Sequence, residues 1–256
     1  MVMKKGFWII LCMFFIPPVT FAGNMKLHYD RPAEYFEEAL VIGNGTMGAT
    51  LYGGVKKDKI SFNDITLWTG EPESENSSPD AFNTIPEIRA LLDNEDYQGA
   101  DKAQYKVQGH YSENYQPLGT LTIEYLDDTA GISDYHRWLD IGNATARTQY
   151  LKDGKLFTSD YFASAPDSVI VIRLKSENKE GIHASLSFDS PLPHSSQVAD
   201  NEISVEGYAA YHSFPVYYKA EDKHRYDPER GIHFKTLVRV LSVDGSVKDR
   251  YSDSRI

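Results

Sequence analysis

The sequence predicts an all-β fold, a large antiparallel β-sandwich (a supersandwich) interrupted once by helix, and three observations carry that expectation. Apolar residues alternate with polar ones through most of the chain, the period of a half-buried strand. Asp153-Gly154 lies between Arg147–Leu151 and Leu156–Phe162, a hairpin signal because both central residues of a type I′ turn need φ > 0. Only residues near 86–105 have helical apolar spacing, in Ile88, Leu91, Leu92, Tyr97, Ala100 and Ala103. With about 230 residues left after a leader and 41% hydrophobic content, one large domain has enough core.

Taken in order, the chain opens on a leader. Lys4 and Lys5 precede the apolar run Phe7–Ile16, and Val19-Thr-Phe-Ala22 offers small residues for cleavage before Gly23. Ten residues of helix reach about 15 Å, half of a ~30 Å bilayer core, so residues 1–22 read as a signal peptide and not as a membrane span. Cys12 lacks the small residues that should precede a lipidated cysteine. It is the single cysteine, so a mature chain 23–256 has no thiol for disulfides, catalysis or metal. Removing residues 1–22 takes away two lysines and no acid, changing the net charge from −11 to −13. Such a surface repels phosphate backbones and excludes nucleic acid as a partner. The expected location is periplasmic or secreted, in a bacterial cell.

The first strands follow. Ala49 and Leu51 alternate with small or polar residues, as do Ile60 and Phe62, and Val55-Lys-Lys-Asp58 between them reads as a turn. Glu71-Pro-Glu-Ser-Glu-Asn-Ser-Ser-Pro79 reads as an exposed loop. Pro86 is expected in the first turn of the first of two short helices. Leu121–Tyr125 and Ile182–Phe188 alternate, and Arg147–Leu151 and Leu156–Phe162 flank Asp153-Gly154. Val169-Ile-Val-Ile172 is an unbroken β-branched run, expected to be covered on both faces. Ile232–Val243 is the longest strand, closed by Asp244-Gly245, yet residues 246–256 supply no apolar alternation for a returning strand. The chain is therefore expected to stop inside its sandwich, with an edge left open.

Candidate chemistry is sparse. Gly43-Asn-Gly45 and Gly48 suggest a phosphate loop, but the segment leads into a strand and has neither nucleotide-binding glycine pattern. The histidines show no His-Glu-x-x-His and no helical i, i+4 pair, so no metal and no cofactor are expected. No Gly-x-Ser-x-Gly elbow occurs. Glycoside hydrolysis would need two carboxyl groups flanking a bond, and no acidic pair is singled out by spacing. The most distinctive polar-aromatic group is Asn63, Asp64 and Trp68. The pair Asn63-Asp64 suits an Asx turn ending a strand, and Trp68 suits either packing over the sandwich edge or stacking on a sugar ring. Gln116 and His212 could bond a hydroxyl or cap a loop.

A resemblance joins these pieces. Glu38-Ala-Leu-Val-Ile-Gly-Asn-Gly-Thr-Met-Gly-Ala49 and Asn63-Asp-Ile-Thr-Leu-Trp-Thr-Gly70 resemble the opening of the amino-terminal β-sandwich module of glycoside hydrolase family 95, known for bacterial α-L-fucosidases. The same order continues through Ile85–Leu92, Tyr115-Gln-Pro-Leu-Gly119, Tyr135–Asp140, Ala165–Arg173 and Gly207–His212, covering residues 38–245. The resemblance implies an inverting hydrolase acting on fucosylated or galactosylated glycans. Its glutamic general acid and Asp/Asn-assisted water lie in an (α/α)6 helical barrel that follows this module and is absent from these residues. It implies no catalytic residue here. It makes Asn63, Asp64, Trp68, Gln116 and His212 residues beside the substrate or at the barrel interface. A free-standing carbohydrate-binding module and a nonfunctional hydrolase fragment remain open.

Overall fold

The computed structural model describes residues 25–72, 80–109 and 112–241. The leader, residues 244–256 on which the expectation of a missing return strand rests, and most of the acidic loop 71–79 lie outside them.

In chain order the elements are β1 (Lys26–Tyr29), a 3-10 turn at Phe36–Glu38, β2 (Leu40–Gly43), β3 (Met47–Leu51), β4 (Lys57–Asp64), α1 (Ala81–Asp93) and α2 (Tyr97–Gln104). Then come β5 (Gly119–Tyr125), β6 (Ile132–Asp140), β7 (Thr145–Lys152), β8 (Lys155–Ser164), β9 (Val169–Ser176) and β10 (Ala184–Asp189). The last are β11 (His194–Ala199), β12 (Glu202–Tyr208), β13 (His212–Ser213), β14 (His224–Arg225) and β15 (His233–Arg239).

Two five-stranded antiparallel sheets, ordered β1-β6-β7-β8-β9 and β10-β5-β4-β3-β2, form the sandwich. The alternation in the sequence places the core. Leu121, Ile123 and Tyr125 of β5 are buried while Thr120, Thr122 and Glu124 turn away, and Ala146, Thr148 and Tyr150 of β7 are buried from the other sheet. Leu40, Leu51, Ile60 and Phe188 meet Phe157 and Tyr161 in one apolar cluster. A three-stranded sheet, β11-β12-β15, adds Ile203 and Val205 to it. Asp153 (φ 51°) and Gly154 (φ 73°) make the β7–β8 turn in the left-handed conformation a type I′ turn requires.

Four expectations are corrected. Lys57 and Asp58 belong to β4, and Asp58 is buried at 1% exposure, so Val55–Asp58 is only half a turn. The Asp58 carboxylate accepts from the Gly54 N–H at 2.9 Å and the Tyr161 hydroxyl at 2.8 Å, which ties one sheet to the other. β9 is an edge strand with no buried residue, so Val169–Ile172 packs on one face at most. The helices begin at Ala81, placing Pro86 in the interior of α1. Of the strand expected over Ile232–Val243, the described part forms a strand at His233–Arg239, with the Val240 N–H bonded to the Asn201 carbonyl; residues 242–243 lie outside the described residues.

Arg137 is a second buried polar anchor. Its Nε and Nη1 donate to the carbonyls of Arg31 (2.7 Å) and Glu38 (2.8 Å), and its guanidinium lies 4.2 Å from the Tyr29 ring centre. This fastens the segment between β1 and β2 across the sandwich.

Candidate functional site

The loops gather at two ends of the sandwich. Residues 52–56, 126–131, 153–154 and 177–183 lie at one. The β2–β3 turn, the segment after β4, the segment before β5 and the β8–β9 turn lie at the other. All five candidate residues fall on this second end or on the chain that docks onto it.

The glycine-rich motif is a hairpin. The Asn44 side chain accepts from the Thr46 N–H, the Thr46 hydroxyl and the Met47 N–H at 2.8–3.0 Å, filling the turn where an anion would sit. Its Nδ2 donates to the Ser164 carbonyl at 2.9 Å, closing this end across the two sheets. Gly45 takes φ 97°, open only to glycine at low cost.

Asn63 pairs with Gly48 and Asp64 with Met47 at the end of β4. Asp64 forms the expected Asx turn, its Oδ1 accepting from the Thr66 N–H (2.9 Å) and hydroxyl (2.6 Å). Leu67 then points inward, buried against Leu192 and Ala209. Trp68 stays 41% exposed, its indole N–H bonded to the Ile65 carbonyl at 3.0 Å, and it forms an antiparallel bridge with Tyr115, 58% exposed. Gln116 is buried; its N–H donates to the Leu67 carbonyl and its amide to the Tyr115 carbonyl, so it pins the bridge from inside. The local fold thus presents two aromatic faces outward.

His212 reaches the same place through a residue with no motif. Glu113, at φ 64°, accepts from the Thr69 hydroxyl (2.6 Å) and the Ser213 N–H (2.9 Å) on Oε2, and Oε1 lies 2.6 Å from His212 Nδ1. A carboxylate only accepts, so Nδ1 carries the proton and Nε2 is left as the acceptor when the ring is neutral. Ser213 Oγ lies 2.9 Å from His224 Nδ1, extending the chain of bonds along β13 and β14. Ser213 itself is 1% exposed, so this is no accessible nucleophile.

Beside Glu113, Arg230 forms a two-pronged pair with Glu71 and lies 3.7 Å from the Tyr211 ring centre. The hydrogen bond from Arg230 holds the Glu71 carboxyl below its usual range. Thr69, Gly70, Glu71, Glu113 and Arg230 line an open cavity of about 560 Å³. The charged groups on its walls are bonded to neighbours: Arg230 to Glu71, and Glu113 to Thr69, Ser213 and His212.

The structure therefore brings Trp68, Gln116 and His212 together through the segment 113–116, with Asn63 and Asp64 at the adjoining strand end. Glu113, Thr69 and Arg230 are absent from the sequence reading. Glu113 lies 99 residues from His212, and nothing local to either marks the pair. Among the described residues, no cluster of three His, Cys, Asp or Glu could hold a metal, and no helix is long and apolar enough to cross a membrane.

Comparison with known proteins bears on this arrangement. The family model described as "Glycosyl hydrolase family 65, N-terminal domain" matches residues 27–255. The chain is 31% identical over 231 residues to "Alpha-L-fucosidase 2" of Arabidopsis thaliana, covering 87% of this chain and 27% of that protein. It is 28% identical over 179 residues to "Probable alpha-fucosidase A" of Aspergillus niger, covering 66% and 22%. The protein of the same name from Aspergillus oryzae is also 28% identical, over 145 residues, covering 54% and 20%. The chain thus spans between 20% and 27% of the length of these relatives. The family model is numbered 65 where the motifs resemble family 95, but both describe the amino-terminal domain of a glycosyl hydrolase. The relatives carry the activity name that the motifs implied. With nearly all of its length matched, the chain belongs to this family of glycosyl hydrolase amino-terminal domains.

Proposed function

We propose that the chain is the amino-terminal domain of an exported glycoside hydrolase that removes terminal α-L-fucosyl or related residues from glycans with inversion. The acid and the water-activating group lie outside the described residues. One observation carries this reading: the likeness to an α-L-fucosidase runs through 87% of the chain while spanning 27% of that relative. In this reading the loop end built on Glu113, His212, Trp68 and Tyr115 borders the sugar site, and the sandwich holds it rigid.

The test is activity in two settings. The purified chain should not turn over an aryl α-L-fucoside above buffer, because hydrolysis needs an acid and an activated water on opposite faces of one bond. A chimera carrying this chain in place of the matched region of the Arabidopsis relative should turn it over, releasing β-fucose first. Turnover by the purified chain that disappears in Glu113→Gln would place catalysis in this domain instead. The export half of the proposal is read by intact mass, with a mature product starting near Gly23.

A second reading, a carbohydrate-binding module acting alone, is favoured by the exposure of both Trp68 and Tyr115. It requires measurable affinity of the isolated chain for a fucosylated glycan, falling about fivefold in Trp68→Ala, since one aromatic contact is worth on the order of 1 kcal/mol.

A further inference from the structure

The outer face of the first sheet carries a pair of histidines that no motif marks. In β6, Arg137 and Leu139 point into the sandwich, so His136 and Trp138 face outward. The edge strand β1 runs antiparallel to β6 with His28 opposite Trp138, which sets His28 diagonally beside His136 on the same face. Their ring centres lie 5.1 Å apart at an interplanar angle of 39°. A bulge precedes the pair: the β6–β7 register shifts between Ser133 and His136, where Asp134 takes φ 49°, and such a kink re-aims a side chain. His28 is exposed and His136 half-buried. His136 Nδ1 is a buried ring nitrogen with no hydrogen-bond partner among the described residues.

We propose that His28 and His136 form a two-imidazole site for a late first-row divalent cation, Cu²⁺ or Zn²⁺, which clips the amino-terminal strand to the edge of the sandwich. Neutral imidazole is the commonest protein ligand for such ions and binds through either nitrogen, and a nitrogen site takes Cu²⁺ more tightly than Zn²⁺. Two imidazoles bound at about 2.0–2.1 Å, with their bonds about 90–110° apart, hold their ring centres about 4.5–5.3 Å from each other. The observed spacing falls in that range. Stacking alone allows the same spacing but leaves the buried Nδ1 without a partner, and an ion between the rings supplies one. The neighbouring cations do not oppose it. Lys26 and Arg147, both close to the Trp138 ring, are paired with Asp140 at 3.6 Å and with Asp160. Among the described residues no third His, Cys, Asp or Glu completes a cluster, so the other coordination positions fall to water. Neither a His-Glu-x-x-His run nor helical spacing reveals this pair, because its members lie on two strands more than a hundred residues apart. The site is independent of the hydrolase reading.

Copper titration followed by electron paramagnetic resonance tests the proposal on the purified chain, prepared without a histidine tag. One equivalent of Cu²⁺ should give a spectrum showing two imidazole nitrogens. His28→Ala and His136→Ala should each lower the Cu²⁺ affinity about tenfold or more, because the second ring acts at a high effective concentration. His183→Ala, just before β10 of the other sheet, should leave the affinity unchanged. Zn²⁺ should compete for the site and slow amide exchange at residues 27–29 in the parent, with no such slowing in His28→Ala. His28 is exposed on an edge strand, so His28→Ala decides alone if His136→Ala does not fold. Absence of one-equivalent binding, a parent spectrum with a single nitrogen, or an affinity that survives in the histidine variants would overturn the site. Binding through both histidines with unchanged exchange at residues 27–29 would overturn the clip.

Discussion

Polar side chains are held in two contrasting ways in this domain. Between the sheets, Asp58 and Arg137 are each 1% exposed, and each serves one purpose: Asp58 binds Tyr161 and the Gly54 N–H, and Arg137 binds two carbonyls. At the loop end, Glu113 and Arg230 are only partly covered, and each joins segments distant in sequence around an open cavity. The interior groups carry a desolvation cost that only complete bonding offsets. The loop-end groups keep access to water and cost less to place. Polarity in the interior specifies how the sheets register; polarity at the rim ties loops that are distant in sequence.

This contrast can be broken or sharpened by mutation. The largest effect is expected for Arg137→Ala, which removes two charge-assisted hydrogen bonds and the contact with Tyr29. Urea unfolding should show a loss of about 4 kcal/mol. A loss under 1 kcal/mol would mean that the interior anchor is dispensable and the contrast false.

Next comes the pH dependence set by Asp58. Burial pushes its carboxyl up from 3.8 to about 6, despite the bonds from Gly54 and Tyr161 that favour the charged form. Between those values the native state keeps a proton that the unfolded chain has released. The contribution of this group is therefore full below pH 3.8 and is lost as pH rises through about 6. A shift of about two pK units corresponds to roughly 3 kcal/mol. In Asp58→Asn, the amide oxygen can still accept from Gly54 and its NH₂ can donate to Tyr161. The thermal midpoint of this variant, compared with the parent between pH 4 and 7, should lack that decline; an unchanged slope would assign it to other groups.

The smallest effect is expected at the rim. Glu113→Gln replaces a carboxylate that receives three donors with one carbonyl oxygen and an NH₂ facing a donor. The cost should be about 1–2 kcal/mol, read mainly as faster amide exchange at residues 211–214. A loss as large as that of Arg137→Ala would erase the distinction between interior and rim.

How legible each region was in the sequence follows the same division. β5 and β7 are readable because one face is buried and the period of two survives in the burial of their residues. Asp58 breaks that pattern: a charged residue after two lysines looks like a turn, and only the Tyr161 hydroxyl from the opposite sheet makes it a core position. Val169–Ile172 misleads in the other direction, since β-branched residues suit an edge strand as well as a central one. At the rim, the Asx turn at Asp64 is local chemistry and can be read from three residues. The tie between His212 and Glu113 depends on folding β13 back over the segment before β5, which no short-range pattern encodes.

The order of strands in the first sheet also bears on how the chain assembles. β6, β7, β8 and β9 form a meander whose turns are two to four residues long, whereas β1 joins β6 from the start of the chain. Closing a loop of about 110 residues in place of one of about four adds roughly 3 kcal/mol of chain entropy before any contact is gained. The meander can therefore zip on the microsecond scale of single hairpins, and the amino-terminal strand is a late arrival at an edge already built. During synthesis β1 emerges first and waits, unpaired, until more than a hundred further residues have left the ribosome.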